Sequence, residues 1–273
     1  LVNNCFVSDC YARMAQMARL TGHDDQAAAF EARREALNRT IHARFYDPAT
    51  QTYATGSQLD MTYPMLVGAT PDSLRAGVEQ RLFRLTHDVM KDHIGGGLVG
   101  VPVITRWAVR SHNPEFIYRM LKQRGYPGYL HMIDHGATAT WEYWSGERSR
   151  VHNCYNGIGT WFYQALGGLR TDSSHPGYEH VFIDPQIPEG VEWCRIGKET
   201  PYGRIDLGWE IADGELRIDV TLPPGVTATA ITPAGACRGR LDGRRLAPQS
   251  PGTKIASGRH RLVFGLAPQN ERQ

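Results

Sequence analysis

The sequence of 273 residues lacks any apolar run that approaches the roughly 20 residues needed for a membrane-spanning helix. It also lacks an excess of either charge, because 30 Lys and Arg residues face 28 Asp and Glu residues and the net charge is +2. The densest basic group lies in a Gly-rich, strand-like region typical of solvated surface, and it comprises Arg238, Arg240, Arg244 and Arg245. We therefore predict neither a membrane nor a nucleic acid as a partner.

Cysteine is scarce as well. The five cysteines form no CxxC pair, and their odd number argues against a complete disulfide framework, although one pair, Cys5 with Cys10, stays open. The first residue is Leu, and no signal peptide or transit segment is visible. We therefore expect the chain to begin inside a longer polypeptide. A periplasmic or secreted location is compatible with the sequence, which does not identify the compartment.

The first half of the chain has helical periodicity and no strand pattern of any length. Helices are predicted over residues 8–20, 24–44, 57–68 with an interruption near Pro64, 70–89, the later part of 93–111, 113–125 and 156–166. The segment 126–151 is predicted to be a long loop. Successive helices joined in this way favour helical hairpins stacked around an axis, with the long loops at one end building a site.

The pattern changes after Leu169. TDSSHPG is a linker by composition, and beyond it apolar and polar residues alternate at period two, with turns such as Asp213-Gly214 between the runs. We predict a helical domain over residues 1–172 and an antiparallel β-sandwich over residues 173–273. The aromatic residues of the sandwich are interpreted as core, so that it braces the first domain without binding sugar; they are Phe182, Trp193, Tyr202, Trp209 and Phe264.

The segment GATATWEYWSGERSRVHNCYNGIGTWFYQALGGL, residues 136–169, holds three of the six tryptophans and places Glu142 between aromatic neighbours. Pyranose rings stack their apolar C–H faces on aromatic rings, while their hydroxyls need fixed donors and acceptors. Candidate stacking rings are Tyr126, Tyr129, Trp141, Tyr143, Trp144 and Tyr155. Candidate polar contacts are His131, Asp134, His135, His152, Asn153 and Asn156. The segment indicates a sugar site.

Glycoside hydrolysis uses one carboxylic acid to protonate the leaving oxygen and one carboxylate to activate water or to act as nucleophile. Enclosure by rings would disfavour the charged form of Glu142 and make it a better base near neutral pH. The alternative is a solvated acid beside core tryptophans. Glu147, next to Arg148 and Arg150, is interpreted as a surface ion-pair group.

Two further groups have structural interpretations. His131, Asp134 and His135 have a spacing like that of metal ligands but lack the HExxH context, so neither a metal nor another cofactor is predicted. Asp60, in SQLDM, is interpreted as a helix cap, with the alternative that it lines the mouth of the site.

Several motifs occur in a fixed order: YPGYLHMIDHGATATWEYWSG, VHNCYNGIGTWFYQALGGL, PGYEHVFIDPQIP and TPYGRIDLGWE. Through them the chain resembles the C-terminal half of the family 78 α-L-rhamnosidases, and FYDPATQTYATGSQLDMTYPMLVG and GGGLVGVPVI fit the same family. The resemblance implies a mainly α and then β fold. It consists of part of an (α/α)6 barrel, or helical toroid, followed by an antiparallel β-sandwich.

The resemblance also implies roles for individual residues. Glu142, in GATATWE, matches the general base of the family's inverting mechanism, and His152, in RVHN, matches a histidine that contacts the rhamnose. Tyr129 stands where the family often has Trp. The residues predicted to bind substrate are Gln58, Tyr129, Trp141, Trp144 and His152.

The function implied is hydrolysis that releases terminal α-L-rhamnose from glycosides, oligosaccharides or polysaccharides. Nothing in the chain matches the family's general acid, so the upstream part of the same polypeptide is an expected partner beside the carbohydrate substrate. The segment between Glu142 and His152 is short for the family, which should open the mouth of the site. Two alternatives stay open: a non-catalytic carbohydrate-binding module, and a related toroidal enzyme acting on uronic-acid oligosaccharides, whose carboxylates Arg148 and Arg150 would meet.

Overall fold

A computed structural model describes residues 1–247 and 252–266 and divides into two compact units, Leu1–Thr160 and the chain from Trp161 onward. This division lies earlier in the chain than the predicted domain boundary near residue 172. No helix among the described residues is long and apolar enough to cross a membrane.

The first unit is built from helices. They are α1 Val2–Leu20, α2 Asp24–Phe45, α3 Gln58–Val67, α4 Asp72–Arg84, α5 Gly100–Arg110, α6 Pro114–Leu121 and α7 Tyr129–Asp134. A π-helical turn, Leu85–Val89, continues α4, and the two-residue strands β1 Tyr46–Asp47 and β2 Thr52–Tyr53 pair as an antiparallel hairpin. Helix α1 begins six residues before the predicted start at residue 8, and α7 lies within the segment predicted to be loop.

Helices α1 and α2 form an antiparallel hairpin whose turn contains Gly22 at a φ of 74°. In the buried interface, the Ser8 hydroxyl donates to Asn38 Oδ1 at 2.6 Å, and Asn38 Nδ2 donates to the carbonyl of Val67 at 3.0 Å. These bonds connect α1 and α2 to the end of α3. Helix α1 also carries Cys5 and Cys10, and both are free cysteines. Burial raises the pKa of the Cys5 thiol to about 12.

Helix α3 is the most buried helix, and only Leu59 among its residues is not buried. The predicted interruption at Pro64 is wrong, because the helix continues through it to Val67. Pro64 cannot donate a backbone hydrogen bond, and the packing of the buried side chains around the helix offsets the free energy lost with that bond. The cap prediction for Asp60 is also wrong, since Ser57 is the N-cap and its hydroxyl accepts from Asp60 N at 3.1 Å. The Asp60 carboxylate instead accepts from the backbone and hydroxyl of Thr55.

After the 3₁₀ turn Asn156–Ile158, α8 Gly159–Trp161 and a π-helical turn Phe162–Leu166 occupy the predicted final helix. The strands that follow are β3 Leu169–Thr171, β4 His180–Ile183, β5 Trp193–Thr200, β6 Gly203–Ala212, β7 Glu215–Leu222, β8 Thr227–Ile231, β9 Ala236–Leu241, β10 Arg244–Arg245, β11 Gly252–Ile255 and β12 Gly258–Leu266. They form a six-stranded sheet in the order β10-β9-β12-β7-β6-β5 and a four-stranded sheet in the order β11-β8-β4-β3.

The sheets are antiparallel except for one pair, because β4 and β8 run parallel, with His180 opposite Thr227 and Ile183 opposite Ala230. The predicted turn at Asp213-Gly214 is confirmed between β6 and β7, with φ angles of 52° and 72°. The core between the sheets is mainly aliphatic, and Trp209 and Phe264 lie inside it as predicted.

The prediction that every aromatic residue of this unit is core is wrong for Trp193, which is 65% exposed, and for Tyr202, which is 42% exposed. Strand β5 is an edge strand, and Trp193 points to the face of the sheet away from the core. Alternation along the sequence identified the strand but did not show which of its faces is covered.

Candidate functional site

Glu142 and His152 lie on one irregular hairpin loop, residues 140–152, which follows α7. Two backbone hydrogen bonds close this loop: His152 N donates to the Thr140 carbonyl at 2.8 Å, and Glu142 N donates to the Ser149 carbonyl at 2.9 Å. The two predicted site residues are therefore held on opposite arms of the same loop, although ten positions separate them in the chain.

The Glu142 carboxylate is only partly covered, and its side chain is 27% exposed. Ser149 N donates to Oε2 at 3.4 Å, and Arg148 Nη1 lies 3.8 Å from Oε1. The hydrogen bond is long and Arg148 is well exposed, so both contacts are weak and solvent screens the ion pair. The predicted enclosure by rings is incomplete. Among the described residues, the hydrogen bond from Ser149 and the ion pair with Arg148 are the contacts of the carboxylate oxygens.

Trp141 packs inside the hairpin loop and is 2% exposed. Gly146, at a φ of 77°, lies against the Trp141 ring, and a Cβ at this glycine would come within 2.8 Å of the ring atom Cζ3. The Arg150 guanidinium lies 5.1 Å from the ring centroid. Little of the Trp141 ring surface is accessible for the predicted sugar contact. The contacts of the indole are with the loop beside Glu142.

Trp144 belongs to a three-ring aromatic cluster with Tyr129 and Tyr155. The indole stacks on Tyr155 at a centroid distance of 3.8 Å and meets Tyr129 edge-on at 5.2 Å. The Tyr129 hydroxyl donates to the Tyr155 carbonyl at 2.8 Å, and burial raises the pKa of Tyr129. The indole Nε1 donates to the Gly96 carbonyl at 3.0 Å. The cluster therefore joins three separate stretches of the chain.

Gln58 lies at the start of α3 and is buried. Its Nε2 donates to the Thr86 hydroxyl at 3.0 Å and to the His93 carbonyl at 3.2 Å, while its Oε1 accepts from Gly95 N at 2.7 Å. An amide with three protein partners has little capacity left for a sugar hydroxyl. The geometry does not support the predicted substrate contact of Gln58. The Gln58 side chain instead holds the backbone of the glycine loop, residues 93–97.

Thr86, His93 and the glycine loop are site-supporting elements that the sequence analysis did not identify. His93 Nδ1 contacts the Pro127 carbonyl at 2.9 Å, just before α7, and Gly96 accepts the hydrogen bond from Trp144. The signal in the sequence was the run of three glycines ahead of α5, which indicates close approach of backbone to other atoms. The spacing of the glycines in the sequence did not show that the approaching atoms belong to Gln58 and Trp144.

His152 is half-buried, and its Nδ1 accepts from Cys154 N at 3.2 Å. In the neutral ring this contact leaves the proton on Nε2, which becomes the donor for an incoming group. Two of the predicted stacking rings are open to solvent, because Tyr126 and Tyr143 are among the exposed aromatic side chains.

His131, Asp134 and His135 do not form a ligand set. The two imidazole centroids are 4.2 Å apart, but Asp134 pairs with Arg124 Nη1 at 2.6 Å. Within residues 1–247 and 252–266, no group of three or more His, Cys, Asp or Glu side chains is arranged to hold a metal ion.

Comparison with protein families assigns both parts of the chain. Residues 1–166 match the bacterial alpha-L-rhamnosidase 6 hairpin glycosidase domain, and residues 168–244 match the bacterial alpha-L-rhamnosidase C-terminal domain. The class is thus a six-hairpin glycosidase domain joined to a C-terminal β domain, and the predicted fold class is confirmed. Within this class, the chain belongs to the bacterial α-L-rhamnosidase family, as the motifs implied.

Individual relatives agree with this assignment. A curated α-L-rhamnosidase of Alteromonas sp. (strain LOR) is 24% identical over 247 residues, which are 86% of this chain and 26% of that protein. The crystal structure of Streptomyces avermitilis α-L-rhamnosidase complexed with L-rhamnose matches with a TM-score of 0.84 at 22% identity, over 95% of this chain and 26% of that chain. The α-L-rhamnosidase structure from Dictyoglumus thermophilum matches with a TM-score of 0.84 at 17% identity, over 94% and 31%. The chain spans about a quarter of the length of the curated relatives it matches.

Proposed function

We propose that this chain is part of an inverting α-L-rhamnosidase that releases terminal α-L-rhamnose from glycosides, oligosaccharides or polysaccharides, and that Glu142 is its general base. The observation that carries the proposal is the state of the Glu142 carboxylate. It is fixed through its own backbone bond to Ser149 and lies on the same loop as His152, yet its oxygens have only weak partners. A base needs both a fixed position and an open lone pair.

In the proposed reaction, Glu142 accepts a proton from a water molecule on the face of the sugar opposite the leaving group. His152 donates from Nε2 to a rhamnose hydroxyl. Tyr129, Trp141 and Trp144 form the wall that sets the direction of the hairpin loop. The general acid belongs to a part of the enzyme outside these 273 residues, with its carboxyl about 6.5–9.5 Å from that of Glu142, which leaves room for the water.

The test is Glu142→Gln in the full-length enzyme, with Glu147→Gln as the matched control. Glu147 lies on the same loop, is exposed and has the same side chain. We expect Glu142→Gln to lower kcat on an aryl α-L-rhamnoside by about 10²–10⁴-fold, because the water loses its proton acceptor. Rhamnose binding, measured by calorimetry, should change little, and Glu147→Gln should retain wild-type turnover.

Near-normal turnover of Glu142→Gln would remove this residue from the mechanism. The stereochemical part is tested separately by proton NMR, in which the first product formed should be the β anomer. An α anomer as first product contradicts inversion while leaving a glycosidase in place. Absence of any turnover by the full-length wild type, with sugar binding retained, would favour a carbohydrate-binding module.

A second candidate is an enzyme acting on uronic-acid oligosaccharides, and the position of two arginines favours it. Arg148 and Arg150 are both exposed and lie within the hairpin loop, next to Glu142 and Trp141. Guanidinium groups bind carboxylates well. Turnover of uronic-acid oligosaccharides by an enzyme that does not cleave aryl rhamnosides would identify this candidate.

A further inference from the structure

The outer face of the six-stranded sheet forms a groove of about 770 Å³ that is separate from the hairpin loop. Strands β5, β6, β7 and β12 line it, and its volume lies within the range of small-molecule sites. All of its lining residues belong to the second unit. Neither the proposed catalytic chemistry nor the packing of the core uses this face.

Trp193 is the exposed aromatic side chain that lines the groove. It lies at the start of the edge strand β5, opposite Glu210 on β6, and 65% of its surface is accessible. Burying such a large ring against an apolar surface is strongly favourable, so the accessible indole is a ready stacking surface. Here the ring borders a concave surface.

Gly208 is part of the floor of the groove, beside the side chain of Arg195. It lies at the middle of β6, between Arg195 on β5 and Asp219 on β7. A Cβ at Gly208 would lie 3.2 Å from Cγ of Arg195, so the lack of a side chain here lets the stem of Arg195 lie close against the strand. A glycine inside a strand weakens it, and such positions are typical where another molecule approaches the backbone.

The charges of the groove balance. Its carboxylates are Glu192, Asp206, Glu210 and Asp219, and its guanidiniums are Arg195, Arg217, Arg259 and Arg261. Several pair within the sheet: Arg261 binds Asp219 through two bonds of 2.7 Å, and Arg217 Nη1 lies 3.9 Å from Glu210. The pairing fixes donors and acceptors side by side and leaves no net charge. Such a surface neither attracts a polyanion nor offers apolar area to a protein helix.

We propose that this groove binds a neutral saccharide chain. The indole of Trp193 stacks on the C–H face of one pyranose, the neighbouring sugar residue lies over the strands beside it, and the Arg261–Asp219 pair donates to and accepts from its hydroxyls. The proposal does not depend on Glu142, because it concerns a different surface and no chemical step.

The experiment is affinity electrophoresis of the full-length enzyme in native gels containing galactan, arabinogalactan, xyloglucan or polygalacturonate. Trp193→Ala is the test variant. Tyr202→Ala is the matched control, since Tyr202 is an exposed aromatic residue of the same unit that does not line the groove. Both variants should unfold at the wild-type temperature, because neither side chain is in the core.

We expect at least one neutral polysaccharide to retard the protein, and Trp193→Ala to weaken the apparent affinity by roughly tenfold or more, because the exposed indole supplies the stacking contact. Tyr202→Ala should keep wild-type retardation. The proposal is overturned if no neutral polysaccharide retards the protein, if retardation is the same in Trp193→Ala, or if only polygalacturonate retards it. Aryl rhamnoside turnover by Trp193→Ala in the Glu142 background should stay unchanged, so failure here is distinct from failure of the proposed activity.

Discussion

Gly96 lies where the glycine loop meets α5, and its carbonyl is the acceptor for the indole of Trp144. A Cβ at this position would come within 2.8 Å of Val101 N, a backbone atom of the helix that cannot move without disturbing α5. One position thus serves two contacts, a close approach to the helix and a bond to the aromatic cluster.

Gly96→Ala should therefore destabilise the protein by about 1–3 kcal/mol, the usual range for overpacking, and should disturb the site through Trp144. Gly97→Ala is the matched control, because a Cβ at Gly97 meets nothing within 4 Å. Its effect should stay within about 0.5 kcal/mol. Urea unfolding of the two variants measures both values. Equal unfolding free energies would show that the loop adjusts to the added methyl group.

At this scale the sequence showed residue types but not their partners. The motifs predicted Glu142 and His152 as site residues, and both lie on one loop. The sequence did not show that the amide of Gln58 is occupied by the backbone of the glycine loop, because the partners His93 and Gly95 lie 35 and 37 positions away. Hydrogen bonds over such separations depend on tertiary packing and not on local pattern.

Among the helices, α1 and α5 are joined by a two-bond ion pair, in which Arg106 Nη1 and Nη2 donate to the Asp9 carboxylate at 3.1 and 3.2 Å. Burial alone would raise the pKa of Asp9, but the hydrogen bond and the charge of Arg106 outweigh it and hold the pKa below its ordinary value. A paired carboxylate with a lowered pKa contributes stability only while it is ionised.

Asp9→Asn should lower the free energy of unfolding by about 1–3 kcal/mol at pH 7, because Arg106 loses its charged partner. The contribution of Asp9 is fully present above its unfolded-state pKa and is lost as the pH falls through the lower folded-state pKa. The gap between wild type and variant should therefore close at acid pH. Urea unfolding from pH 7 down to pH 3 follows it, with exposed Glu35→Gln as control. A gap that is the same at all pH values would contradict this account.

Whether each segment is helix or strand followed from periodicity, and the errors have local causes. Pro64 was expected to interrupt α3, but nine buried residues hold that helix together. The short helix α7 was not predicted because Pro127 and Gly128, directly before it, favour a loop. The parallel pairing of β4 with β8 was not predictable, since alternation shows that a strand exists and not which strand lies beside it.

At the scale of the whole molecule, the order of helices and then strands and the ordered motifs predicted the architecture and the family. The compact division between Thr160 and Trp161 was not visible, because the last helical turns match the helical pattern but cluster with the β unit. Each unit has its own buried side chains, among them Ile104 in α5 and Ile218 in β7.

Because each unit has its own core, we expect truncation of a buried side chain to destabilise only the unit that contains it. Ile218→Ala should destabilise the second unit by about 2–5 kcal/mol, and Ile104→Ala should do the same to the first, because both side chains are fully buried. In calorimetry we expect each substitution to lower a different transition. If both variants lower one common transition, the units unfold as a single cooperative body.

The parallel pair β4–β8 has a consequence for the newly made chain. Strand β4 leaves the ribosome first, while β8 follows only after β5, β6 and β7, which pair with their sequence neighbours as they emerge. At about 5–20 residues per second, the roughly 40 intervening residues take some 2 to 9 seconds to synthesise. During that interval β4 has one hydrogen-bonding edge without its partner, which is a template for aggregation. Nascent chains stalled between β4 and β8 are therefore the species that most need chaperones.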